Sequence, residues 1–109
     1  MNILLAQDVI ANGSSEGVPV SLHDMTFQAT LKGDGTGSAK VAIEVSNDGL
    51  VYKTRFAATI VTKSASDPVA IFFDPISESW AYIRAVVTEF TLSTGTAGSL
   101  KLDVTAGIS

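Results

Sequence analysis

His23 stands beside Asp24, and with a serine brought in from elsewhere the pair has the residue types of a nucleophilic relay. Such groups meet in space rather than in sequence, and serines are so plentiful here that a turn-forming His-Asp pair accounts for the same residues. One histidine without any cysteine leaves a transition-metal site poorly supplied. Calcium is the metal to weigh, because Asp24, Asp34, Asp48, Asp67, Asp74 and Glu78 lie in or near expected loops. None of them sits in the dense acidic-plus-glycine spacing of a dedicated calcium loop, which favours solvated turn residues. Glu44 and Glu89 are candidates for the paired carboxylates of glycoside hydrolysis, which must face each other across a cleft at about 5–10 Å. Gly33-Asp34-Gly35-Thr36-Gly37 is glycine-rich after a strand, yet a phosphate cradle needs a helix N-terminus next, and a strand pattern follows instead. These residues predict a protein that is not an enzyme and that holds no cofactor or metal. The side chains better suited to function are Tyr52, Trp80, Tyr82 and Arg84, since aromatics and arginine are enriched at the centres of protein interfaces.

The elements that position these side chains read as strands. In Ser38–Thr62, Ala39, Val41, Ile43 and Val45 alternate with Lys40, Ala42, Glu44 and Ser46, the period-two pattern of a strand with one buried face. Asn47-Asp48-Gly49 tolerates positive φ and turns the chain back. On the return arm Phe56, Ala58 and Ile60 alternate with Arg55, Ala57 and Thr59, so the first three are expected to share a face. Met25, Phe27, Ala29 and Leu31 form another apolar face, as do Leu100, Leu102, Val104 and Ala106. Val69–Phe73 is a compact strand between loops 63–68 and 74–79. In the run Trp80–Phe90, Ile83, Ala85 and Val87 read as core, while Trp80, Tyr82, Arg84, Val86, Thr88 and Phe90 share the amphipathic face. Val18–Leu22 is a short candidate strand that Pro19 confines to an edge or a strand start. With turn signals roughly every 8 to 12 residues and no helical period, the chain is expected to be all-β, an antiparallel β-sandwich or jelly roll of about seven to nine short strands.

A length of 109 residues suits a single β-sandwich domain spanning residues 1–109, with 1–17 forming an N-terminal arm or a first strand. Without cysteines, stability must come from packing or from neighbours. At 46% hydrophobic and 17% charged the chain is too apolar to be disordered and less charged than is usual, which suits lasting contacts. A net charge of −4 with no run of Lys or Arg argues against nucleic acid or an anionic membrane as partner, because phosphate binding needs a concentrated positive field. The apolar N-terminal run lacks a basic flank and is interrupted by Asp8, so it does not read as a secretion signal, and Asn12-Gly13-Ser14 is then an acceptor motif without a use.

Two stretches together carry a family resemblance. VAIEVSNDGLVY is similar to a strand, Ser-Asn-Asp-Gly turn and aromatic hairpin, and SWAYIRAVVTEFTLSTGTAGSLKLDV to an aromatic Tyr-Ile-Arg strand followed by a Gly/Thr loop and a closing strand. Both resemble the small β-sandwich virion proteins of tailed bacteriophages: capsid decoration, cement or head-fibre-base proteins. The likeness spans roughly Ser38 to Val104 and departs where many such hairpins carry Trp and this chain has Tyr52. It implies a non-enzymatic protein made in the host cytoplasm, located on the capsid surface of the virion, and partnered by itself as a homotrimer and by the major capsid protein. Trp80, Tyr82, Arg84 and Tyr52, together with Ile3, Leu4 and Leu5 of the arm, are then the expected interface residues. The rival readings are a tail-tube or tail-fibre component and a carbohydrate-binding module built on Tyr52, Trp80 and Tyr82.

Overall fold

The computed structural model describes residues 2–20 and 24–108; the His23 candidate and the end of the expected strand Val18–Leu22 lie outside the described residues. The described residues form strands β1 (Asn2–Val9), β2 (Gly13–Ser14), β3 (Val18–Pro19), β4 (Met25–Lys32), β5 (Thr36–Ser46), β6 (Lys53–Lys63), β7 (Val69–Ile76), β8 (Tyr82–Thr94) and β9 (Lys101–Ile108). They make two antiparallel sheets packed face to face. One has the order β1-β9-β4-β7, the other β2-β8-β5-β6, with β3 also paired to β8. This is an all-β antiparallel sandwich.

Alternation dictates the core. Met25, Phe27, Ala29 and Leu31 of β4 face Ala39, Val41, Ile43 and Val45 of β5 across the interior, joined by Ile83, Ala85 and Val87 of β8 and Leu102, Val104 and Ala106 of β9. Phe56 closes one side, with ring centroids 6.0 Å from Phe27 and 5.3 Å from Phe73. Asn2–Val9 is an edge strand of this sandwich: Leu5 is buried in the core and Ile3 packs against it.

Bulges change two expected faces. In β6 the register against β5 shifts between Val41↔Thr59 and Ile43↔Phe56. Phe56 therefore points inward, and so does Val61, an odd number of residues later, whereas Ala58 and Ile60 are exposed. Phe56, Ala58 and Ile60 do not share a face, because an extra residue on one strand inverts the alternation beyond it. In β8 the same happens at Glu89, whose φ is 50° and where the register to β5 slips between Lys40↔Thr88 and Ser38↔Thr91. Phe90 is thereby turned onto the core and parts from Tyr82 and Arg84. β1 is also irregular, with register shifts between Leu4 and Ala6 and between Ala6 and Val9, the second at Asp8, whose φ is 52°.

Two boundaries also move. β7 continues to Ile76, which is core, and β8 continues to Thr94, so each expected loop begins later. Lys63, expected to open a loop, is only 1% exposed. Its ammonium donates to the carbonyls of Gly35 and Ala65, each at 2.6 Å, and so ties the two connections at that end of the sandwich together.

Candidate interaction surface

The β5–β6 hairpin ends in a turn built on one carboxylate. The Asp48 Oδ1 accepts the backbone N–H of Leu50 at 2.9 Å and of Val51 at 3.0 Å, and the Ser46 hydroxyl at 2.9 Å. Ser46 Oγ in turn accepts the Gly49 amide at 2.9 Å. Bonds from Val51, Leu50 and Ser46, in that order, hold the Asp48 carboxyl below its ordinary range. Gly49 takes φ 76°, and a Cβ there would sit 3.2 Å from the Tyr82 ring, so both conformation and space call for glycine. This frame presents two apolar side chains to solvent: Leu50 is 85% exposed and Val51 76%.

Behind the tip, on the outer face of the β2-β8-β5-β6 sheet, Arg84 lies cross-strand from Glu44. Its Nε and Nη2 both reach Glu44 Oε1, at 2.7 and 2.6 Å. The guanidinium lies over the Tyr52 ring, 3.9 Å from the centroid, a cation–π contact. Tyr52 in turn crosses the loop before β3 so closely that a Cβ on Gly17 would be 1.8 Å from its hydroxyl oxygen. Tyr52, Tyr82 and Arg84 thus gather around Glu44 and Gly49 beside the exposed tip.

Other expected residues lie apart from them. Trp80 precedes β8, packs against the core and donates from Nε1 to Glu78 Oε1 at 3.4 Å. The same Glu78 oxygen accepts from Arg55, whose guanidinium lies over Phe56 at 4.7 Å. The Arg55 hydrogen bond is the main cause, with the Glu78 backbone N–H next, of a Glu78 carboxyl lowered to about 2. Leu4 is exposed on the outer face of the other sheet, with Ile3 and Leu5 turned inward. Glu44 and Glu89 each hold a separate cation, Arg84 and Lys40. Their register places them about 15 Å apart at a rise of ~3.3 Å per residue, too far for a carboxylate pair. Among the described residues no three His, Cys, Asp or Glu side chains cluster as a metal site.

Leu50 and Val51 escape a reading by residue type, which assigns apolar side chains to the interior. The signal that finds them is positional: two apolar residues directly after Asn-Asp-Gly fall on the turn rather than on the paired strand. No family model matches the chain, and no curated protein sequence matches it.

Proposed function

We propose that the protein is a non-catalytic structural subunit of a tailed-phage virion, a capsid decoration protein that assembles as a trimer and attaches to the outer capsid surface through the β5–β6 hairpin tip. The observation that carries this reading is the Leu50–Val51 tip. Two large apolar side chains in water are unfavourable unless something covers them, and a tip already ordered by Asp48 and Ser46 loses little conformational freedom on docking. The Tyr52, Tyr82 and Arg84 group beside it supplies the amphipathic side chains that rim such contacts. The likeness of VAIEVSNDGLVY to the hairpin of phage virion proteins points the same way. A capsid offers many copies of one binding site, so modest contacts by each subunit of a trimer add up through avidity.

The test uses particles made from a phage genome that lacks the gene. Purified protein, a discrete trimer by light scattering that persists on dilution, is expected to co-sediment with these particles in a fixed ratio to the capsid protein. The doubly substituted Leu50→Asp, Val51→Asp protein is expected to fold normally and stay in the supernatant. Wild-type protein that remains monomeric and unbound would overturn the proposal.

A further inference from the structure

The outer face of the β1-β9-β4-β7 sheet carries a second, chemically different feature. One cross-strand row runs over all four strands: Leu4 pairs with Thr105, Thr105 with Gln28, and Gln28 with Phe72. The Phe72 ring is 74% exposed at one end of the row and Leu4 46% exposed at the other. At a strand spacing of ~4.8 Å these ends are about 14 Å apart. In the neighbouring row Asn2 and Thr26 flank Gly107. A Cβ on Gly107 would come within 2.9 Å of Thr26 Oγ1 and 3.7 Å of Asn2 Oδ1, so the absent side chain leaves a cradle into which polar atoms converge. Glycine inside a strand often marks such a close approach. A cleft lined by Asn2, Thr26, Gln28, Phe72, Thr105 and Gly107 results.

Its chemistry selects the ligand. Asn2 and Thr26 are exposed and Thr105 is half-buried, so their polar groups stand open to solvent or a ligand. None of the lining side chains ionises. The charges around it are mostly acidic: Asp74 is exposed two residues beyond Phe72, and Asp103 and Asp8 share the single cation Lys32 at 2.7 and 2.8 Å farther along the strands. Hydroxyl and amide groups in the middle of the face do not match an apolar protein surface, and an uncharged lining does not match a phosphate or a carboxylate. An exposed aromatic face beside uncharged donors and acceptors matches a neutral sugar, whose C–H face lies on a ring while its hydroxyls hydrogen-bond at the edges. We infer that this cleft is a binding site for a neutral oligosaccharide, with Phe72 as the stacking platform and Asn2, Thr26, Gln28 and Thr105 as the hydroxyl-reading groups. The site lies on the opposite sheet from the hairpin tip, so both surfaces can be occupied at once and neither assignment depends on the other.

The test is an amide-resolved NMR titration of the whole chain with maltotriose, cellobiose and N,N′-diacetylchitobiose, and with digalacturonate as the charged control. At least one neutral sugar is expected to give saturable shifts centred on Thr26, Gln28, Phe72, Thr105 and Gly107. Phe72→Ala should weaken that binding about tenfold, Phe72→Trp should retain it, and Gly107→Ala should weaken it by filling the cradle. Because Phe72 is exposed, the two Phe72 variants should melt with the wild type. No saturable shift with any neutral sugar up to about 10 mM, corresponding to the weak end of specific binding, overturns the inference. So does equal or tighter binding of digalacturonate, unchanged affinity in Phe72→Ala, or shifts of the same amides when the protein alone is concentrated, which would give the cleft to a second copy.

Discussion

Asp48 and Glu78 show how single carboxylates organise this chain. Asp48 gathers two backbone amides and a hydroxyl, and the hairpin tip takes its shape from that one side chain. Glu78 joins Arg55 of β6 to Trp80 before β8. Its carboxyl, lowered to about 2 from 4.5, binds a proton less readily in the folded protein than in the unfolded chain. The stabilisation is therefore complete above about pH 4.5 and is lost as pH falls from there towards 2. Denaturant midpoints measured across that window should fall more steeply for the wild type than for Glu78→Gln, and the two curves should converge near pH 2. The side chain is partly exposed, so solvent screening keeps the effect modest.

At the scale of the strand, bulges decide what faces what. Glu89 holds a left-handed conformation, φ 50°, that costs a non-glycine residue about 1–2 kcal/mol and costs a β-branched one most. That strain turns Phe90 onto the core while leaving the Glu89 carboxylate to pair with Lys40 at 2.6 Å on the surface. Glu89→Val should accordingly be less stable than Glu89→Gly by about 1–2 kcal/mol in urea unfolding, although valine is the better strand former. The reverse order would mean that the bulge relaxes away when Glu89 is replaced. None of these bulges is legible from alternation. Phe56, Ala58 and Ile60 read as one face by period two, and only the partner strand shows that Phe56 and Val61 both look inward.

The whole molecule is held by one interior shared between its sheets. Phe27 touches Phe56 at the rim of the other sheet, so losing its ring loosens both layers together. Phe27→Ala should cost about 3–5 kcal/mol, with tryptophan fluorescence and far-UV circular dichroism reporting one coincident transition. Two separate transitions would show that the sheets unfold independently. The proposed attachment and sugar sites use the two surfaces that this core leaves outside: a hairpin tip on one sheet and a strand face on the other.

Much of the fold was written in residue order. Met25 to Leu31, Ala39 to Val45, Ile83 to Val87 and Leu100 to Ala106 alternate so regularly that a two-layer β structure with these residues inside follows from burial alone. Asn47-Asp48-Gly49 likewise names its turn, because its residues tolerate positive φ and bond to their own backbone. Tertiary structure decided the rest. It buried Lys63 where two carbonyls were within reach, exposed Leu50, Val51 and Phe72 against their residue type, and separated Trp80 from Tyr82 and Arg84. Leu50 and Val51 stand on the turn and Trp80 precedes β8, but within the strands, as at Lys63 beyond the β6 bulge, the physical reason is register. A side chain's face depends on the register of its strand against a partner distant in sequence, and one inserted residue inverts that face while leaving the local pattern unchanged.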